Sequence, residues 1–289
     1  MIPSKQPHLD SSAITDPGSK GRLNEDSFEI TAFTISEDDD TPVLLAIIAD
    51  GIGGHKAGEI ASKIAVATII SSVAESDGTD PLWILKSALL EANHSITSEA
   101  ETDDSRKGMG STVACALVID SALYIATLGD SRLYLVRDNV IQQLNIDHTW
   151  VQEALEVGVI NSKEARNHPR RHLIRSYLGS SDPIHPDLRL YMDSEENHEQ
   201  AKANQGLPLV PGDQVLICTD GLTDLVDDEE ILEIIVGEDS KDEQLQKLVD
   251  LANQRGGHDN ITVVVLQAPG VELFEDLDFE DEEESAEEE

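Results

Sequence analysis

Basic residues are scarce in this chain: 20 Lys and Arg stand against 58 Asp and Glu, a net charge of -38 over 289 residues. A field of that sign repels phosphate backbones and anionic lipid, so neither nucleic acid nor a membrane surface is an expected partner. Cysteine is nearly missing, and Cys115 and Cys218 both lie inside apolar runs. Such thiols read as small buried hydrophobes in a reducing setting, not as a bridge. No apolar run approaches the roughly 18 residues of a membrane helix, and MIPSKQPHLD has neither the basic nor the apolar region of a secretion signal. A soluble, cytoplasmic monomer is the expectation. Length alone allows one domain or two, and strand-like and helix-like segments throughout make one core the simpler reading.

What the chain does have is a stretch that the rest is organised around, VLLAIIADGIGGHKAGE from Val43 to Glu59. Seven apolar residues with Val and Ile among them read as a strand buried on both faces. Asp50 then sits where that strand opens. A carboxylate there is costly unless a cation meets it, and the glycines after it let the backbone turn sharply and approach a ligand. An Asp-Gly turn is the bland alternative. Recurrence argues against it: Gly129-Asp130-Ser131-Arg132 follows ALYIAT, Asp220-Gly221 follows QVLICT, and His258-Asp259-Asn260 precedes ITVVVL. Four aspartates at strand ends can converge on one oxygen-rich site.

Along the chain, residues 1–13 read as a loose, polar lead-in and Phe28 and Ile30 mark a strand after Glu25-Asp26. Residues 59–74 carry a helical apolar face, and Asp80-Pro81 is an N-cap followed by proline at the first helical position of a second long helix. Strands are expected at 112–119, 122–128, 132–136 and 140–144, with two-residue hairpin turns at Asp120-Ser121 and Asp138-Asn139. A helix is expected near 150–157, a loop over 193–205, helices near 227–236 and 240–254, and a last strand at 261–266. From Glu272 to Glu289 acidic residues occur without a base, so residues 272–289 read as a disordered tail. The order of elements argues for α+β layers.

Aspartates with few histidines and no reactive cysteine suit hard divalent cations, magnesium or manganese, better than zinc. Two such ions sharing a carboxylate would serve metal-assisted hydrolysis of phosphate esters. RLNEDSF, ADGIGGHKAGE, GMGSTVACALV, LYIATLGDSRLYLV, LICTDGLTDL and GGHDNITVVVL occur in the order found in the metal-dependent protein phosphatases of type 2C, bacterial branch, which the chain resembles from about Ile14 to Leu266. The resemblance implies a four-layer αββα sandwich of two antiparallel sheets flanked by helices, a catalytic domain over residues 14–271, and hydrolysis of phosphoserine and phosphothreonine on proteins without a phosphoenzyme. Implied partners are phosphoproteins, a Ser/Thr kinase among them.

By position the resemblance makes Asp50 the carboxylate bridging two ions and the Gly51 carbonyl a ligand of the second. Asp220 and Asp259 match the other direct ligands. Asp26 matches the residue that reaches a metal through water, with Glu25 beside it, and Asp130 the aspartate that shares a third, weaker ion with Asp220. Two departures stand out. Relatives carry a phosphate-binding arginine five residues before the aspartate matching Asp26; Gly21 holds that place and Arg22 comes one residue later. On a strand that shift flips the face, so Arg22 needs a bulge, and Lys20 on the same face competes for the phosphate. Animal relatives place a histidine directly after the Asp-Gly, where this chain has Ile52. His55, three residues on, is either a proton donor or a helix cap. Arg170 and Arg171, in a basic cluster from Lys163 to Arg175, are candidates for substrate contact, against the bland reading of a solvated face. Ser131 and Arg132 read equally as a hairpin corner. The rival from another class is an inactive relative that binds phosphoproteins; retention of Asp50, Asp130, Asp220 and Asp259 speaks against it.

Overall fold

The computed structural model describes residues 1–20, 23–53, 56–166 and 168–270. The chain runs through β1 (Ile2–Ser4), β2 (Asp10–Asp16), β3 (Ser27–Thr34), β4 (Pro42–Ala49) and β5 (Gly51–Ile52) into two long helices, α1 (Lys56–Ala74) and α2 (Pro81–Thr102). A run of strands follows: β6 (Gly110–Ser111), β7 (Val113–Ile119), β8 (Ala122–Leu128), β9 (Arg132–Arg137) and β10 (Val140–Gln143). Then come α3 (Trp150–Glu156), α4 (Ser162–Arg166), α5 (His198–Ala203), β11 (Leu207–Pro208), β12 (Gln214–Cys218), α6 (Asp220–Thr223), α7 (Asp228–Ile235), α8 (Lys241–Gln254) and β13 (Ile261–Gln267).

Two large antiparallel sheets result, ordered β1-β3-β4-β7-β8-β11 and β10-β9-β12-β13-β2, with β5 and β6 forming a small pair of their own. The apolar run of β4 is fully buried from Val43 to Ala49, and its alternation divides the work. Val43, Leu45 and Ile47 face outward onto Ala61, Ala65 and Ile69 of α1 and Leu85, Leu89 and Ile96 of α2. Leu44, Ala46 and Ile48 face inward, where the second sheet supplies Leu133, Leu135, Ile217, Val264 and Leu266. The other face of the second sheet packs Leu216, Val263 and Val265 on Ile231 and Ile235 of α7 and Leu245, Leu248 and Val249 of α8. Three apolar seams between four layers make the αββα sandwich that the motifs imply. Cys115 and Cys218 lie in different seams, both unbridged. Burial pushes the Cys218 thiol up to about 12, so it stays protonated and inert.

Local rules hold at the element ends. Asp80 accepts the Trp83 N–H at 3.1 Å and Pro81 opens α2. Asp120, Asp138 and Asn139 take positive φ values of 53°, 52° and 59° in the two-residue hairpins, as such turns require. Over Ala57–Ala74, α1 has a mean hydropathy of 1.4 and the length to cross a membrane; here that composition serves burial, because α1 packs against both the first sheet and α2.

Two expectations need correction. Residues 1–13 are no loose lead-in, since β1 borders one sheet against β3 and β2 borders the other against β13. Edge strands cover only one face and one side, so Pro3 and a polar DSSAITD are tolerated there and hide the strand pattern. A domain boundary at 13 would cut β2. The loop expected over 193–205 contains α5, closed by a reciprocal cap in which Asn197 accepts from Gln200 N and Gln200 answers to Asn197 N. Only Ala201 of that helix is buried, too little apolar patterning to read from sequence. The tail 272–289 lies outside the described residues.

Because Ile48 sits in the seam between the sheets, Ile48→Ala is expected to lower the unfolding free energy by about 2–5 kcal/mol. Urea denaturation followed by circular dichroism checks it.

Candidate metal centre

Strand register brings the aspartates together. Ser27 pairs with Ala49, so Asp26 and Asp50 emerge side by side from β3 and β4. Val113 pairs with Leu128, which places Asp130 next to the same end of the first sheet. In the second sheet Cys218 lies across from Arg132 and Val263, so Asp130, Asp220 and Asp259 leave their strands at that end too. Antiparallel pairing thus converts five distant positions into one cluster.

Backbone bonds fix each member. The Asp50 N–H donates to Thr112 Oγ1 at 3.1 Å, and its carbonyl accepts from Thr112 N at 2.8 Å and Ser111 Oγ at 2.9 Å. Thr112 Oγ1 lies 2.8 Å from Ser131 Oγ, which ties the turn bearing Asp130 to the turn bearing Asp50. Asp26 Oδ2 accepts from Thr219 Oγ1 at 3.0 Å and from Thr262 Oγ1 at 2.6 Å. Asn260 accepts the Glu25 N–H at 2.8 Å and donates to the carbonyls of Pro17 and Leu23 at 3.1 and 3.2 Å. It thereby clamps the segment that carries Lys20 and Glu25 against Asp259. Gly51 and Gly58 touch backbone to backbone: a Cβ on Gly58 would lie 2.7 Å from the Gly51 carbonyl oxygen. Only glycine lets α1 start this close to the turn.

The electrostatics are unbalanced. Burial, then the charges of Asp26, Asp220, Asp130 and Asp259, hold the Asp50 carboxyl well above the ordinary range. Burial and the neighbours Asp130, Asp224, Asp259 and Asp26 do the same to Asp220. Asp26 is pushed up to about 7 by burial, despite its two threonine hydrogen bonds, and Asp130 to about 7 by burial and the charge of Asp147. Asp26 Oδ1, Asp130 Oδ1 and Asp220 Oδ1 are buried without a hydrogen-bond partner. Arg132, which stands beside Asp130, spends its guanidinium on Asp147, with Nε at 3.0 Å and Nη2 at 2.7 Å, and on Tyr134 Oη at 3.1 Å. It is a hairpin corner. Buried carboxylate oxygens that no side-chain cation answers among the described residues are a donor set for hard divalent cations.

A cleft opens over the cluster, lined by Lys20, Asp50, Arg171, His172, Asp220 and Asp259. Lys20 and Arg171 therefore reach the site, whereas Arg170 does not line it. Its guanidinium lies 5.2 Å from the ring centre of Trp150, which also stacks on His168 at 4.6 Å. Arg170 thus makes a cation–π contact within segment 149–175, the flap, and stands outside the cleft lining. Arg22 and His55 lie outside the described residues. Asp224 and His172 were not legible as site residues: Asp224 Oδ2 is 3.2 Å from His172 Nδ1 and 3.4 Å from His258 Nε2, and ligand atoms of His172, Asp220 and Asp224 lie within 4.8 Å of one another. The available signal was the spacing of Asp220 and Asp224, four apart and so on one helical face.

Residues 18–250 match the family model described as protein phosphatase 2C. The chain belongs to the protein phosphatase 2C family. The serine/threonine phosphatase stp of Listeria monocytogenes is 32% identical over 258 residues, 88% of this chain and 93% of that one. The solved S. agalactiae serine/threonine phosphatase superposes with a TM-score of 0.77 at 31% identity, covering 90% of this chain and 99% of that one. The catalytic domain of the phosphatase PstP, solved with two manganese ions, gives a TM-score of 0.72 at 32% identity over 90% of this chain and 97% of that one. Membership makes the chain a metal-dependent serine/threonine phosphatase, and it carries buried carboxylates of the kind that hard divalent cations favour.

For the metal-free phosphatase the sign of the pH dependence follows. Asp26 and Asp130 titrate near 7 when folded against an ordinary 3.8, so the folded state binds protons more tightly. Their stabilising contribution is complete below about 4 and is lost as pH rises through about 7. In chelator the melting temperature should fall from pH 5 to pH 8, less steeply in Asp26→Asn, and manganese at pH 8 should restore it. Differential scanning fluorimetry across that range is the check.

Proposed function

We propose that this protein hydrolyses phosphoserine and phosphothreonine on proteins at a centre of two magnesium or manganese ions, with water as nucleophile and no phosphoenzyme. The observation that carries this reading is the set of buried carboxylate oxygens left without partners at one end of both sheets. Asp50, the Gly51 carbonyl, Asp220 and Asp259 would hold the pair, Asp26 with Glu25 would hold it through water, and Asp130 with Asp220 would hold a third, weaker ion. Bound there, divalent ions lower the pKa of water and offset the charge of a phosphoryl group.

The chain's own residues supply the rest. Thr219 and Thr262 fix Asp26 Oδ2 and leave Oδ1 to accept a proton from water. Lys20 and Arg171 in the cleft attract a phosphate dianion that a chain of net charge -38 otherwise repels. The Arg22 guanidinium is the proposed phosphate grip, since a planar fork can hold two oxygens at once. Neither thiol competes as a nucleophile, because both are buried in apolar seams. The same reading makes the protein a cytoplasmic monomer that reverses the work of a Ser/Thr kinase.

Two measurements test this. Asp50→Asn is expected to lower kcat/KM on a phosphothreonine peptide by several orders of magnitude, and chelator to abolish turnover until manganese is restored; near-normal turnover by either would sink the reading. Arg22→Ala should cost roughly ten- to hundredfold in kcat/KM, the worth of one charge-assisted contact, with a higher KM and unchanged metal binding. Lys20→Ala should cost less, and the reverse ranking would move the phosphate grip to Lys20.

A further inference from the structure

Asp130 stands in a turn whose backbone is held from outside it, by Asn145 at the Ser131 carbonyl and by a second residue at Gly129. Gly129 has φ 110°, and a Cβ there would lie 2.6 Å from both Cβ and Cγ2 of Thr112. Burial and the charge of Asp147 work against the Asp130 carboxylate. Both main-chain polar groups of Gly129 are met by one residue outside the turn, His148: the Gly129 N–H donates to His148 Nδ1 at 3.0 Å, and the Gly129 carbonyl accepts from the His148 N–H at 2.8 Å. An Nδ1 that accepts puts the ring proton on Nε2. That nitrogen lies 3.2 Å from Asp187 Oδ2 and donates to it.

Asp187 is itself immobilised. Arg189 Nε donates to its Oδ1 at 2.7 Å and its Oδ2 at 3.0 Å, and its backbone pairs with Thr127 in both directions, at 2.9 and 3.0 Å. Burial would raise the Asp187 carboxyl, but the bonds from His148 and Arg189 outweigh it and hold the group below the ordinary carboxylate range. The ring of His148 is thus oriented by a carboxylate that is charged and fixed.

The other side of His148 carries the flap. Its carbonyl accepts from Arg175 N at 2.8 Å, Thr149 bridges to Ile174, and Trp150 N donates to the Leu173 carbonyl at 2.9 Å. These bonds form the neck of the segment whose Arg171 and His172 line the cleft. One residue therefore joins the turn of Asp130 to the root of the flap.

We propose that His148 is a positioning residue: through Nδ1 it holds the Gly129 turn so that Asp130 faces the cation site, and through its backbone it keeps the flap in the same frame. It touches no reacting atom. The proposal rests on the reading of Asp130 as a metal ligand, and the experiment separates the two.

Equilibrium binding of manganese, followed by the electron paramagnetic resonance of the free ion, needs no turnover. It would be measured on the full chain, on Asp130→Asn, and on two His148 variants chosen by reach. His148→Asn keeps an acceptor oxygen where Nδ1 stands, and His148→Gln keeps a donor toward Asp187 but withdraws that acceptor. We expect His148→Gln to weaken the weakest manganese site by about ten- to hundredfold, as loss of an outer-shell partner does, and His148→Asn to stay close to the unaltered protein. KM for a phosphopeptide should follow the same order, and melting temperatures need not. Equal manganese binding by the Gln and Asn variants, or loss in both, would overturn the assignment to Nδ1. Should Asp130→Asn also bind manganese like the unaltered protein, the ligand reading of Asp130 would fall with it; a loss in Asp130→Asn alone would overturn only the role of His148.

Discussion

Mutual repulsion of buried carboxylates is the constraint on which the other features of this molecule depend. Burial and the charges of neighbouring aspartates raise the proton affinity of Asp26, Asp50, Asp130 and Asp220, and among the described residues no lysine or arginine side chain is bonded to any of these four or to Asp259. Unanswered buried charge costs several kcal/mol per group. The chain tolerates that by rooting each aspartate in backbone already fixed by the sandwich. The three apolar seams supply the stability, and the strand ends supply the geometry. A loop-borne cluster would relax away from its own repulsion; a cluster on paired strand ends cannot. Divalent cations relieve the same strain, so folding and metal binding draw on one preorganised arrangement.

Much of this was legible in the sequence, for reasons that differ by residue. The run Val43 to Ala49 could be read because a central strand covered on both faces admits no polar residue. Asp50, Asp130, Asp220 and Asp259 could be read because each follows or precedes an apolar run within two positions, and strand ends in antiparallel sheets coincide; Asp26, before the mixed strand SFEITAFT, came from the family resemblance. What escaped depends on neighbours that are distant in sequence. β1 and β2 look polar because edges face water. Arg170 and Arg171 are adjacent in a basic cluster, yet one packs on Trp150 and the other lines the cleft; no local pattern distinguishes them. Asp224 gains its meaning only when the flap brings His172 to within 3.2 Å.

Charge distribution gives the flap its weight. Lys163, Arg166, Arg170, Arg171 and Arg175 fall within one short segment of a chain that has only 20 basic residues. Arg175 is paired with Glu153 at 3.2 Å and Arg170 packs on Trp150, so among the described arginines and lysines of this segment it is Arg171 that lines the cleft. An anionic substrate approaching a molecule of net charge -38 is therefore guided by local fields within about a Debye length of the cleft, roughly 8–10 Å at ordinary ionic strength. The bulk of the acidic surface is screened beyond that distance. Local sign, not net charge, then governs capture.

The glycines at the site show how backbone sets chemistry. Gly51 and Gly58 do not need unusual φ angles; they need to have no side chain, because the first turn of α1 presses on the Asp50–Gly51 turn and on Glu25. That contact does two things at once. It packs main chain against the Asp50–Gly51 turn, and it braces a turn whose Asp50 backbone the hydroxyl and amide of Thr112 already hold. A turn whose backbone is held by Thr112, by Ser111 and by the first turn of α1 has little freedom to drift when a ligand binds. The precision of the site follows from close packing of main chain, and the acidic side chains are selected for the position that this packing creates.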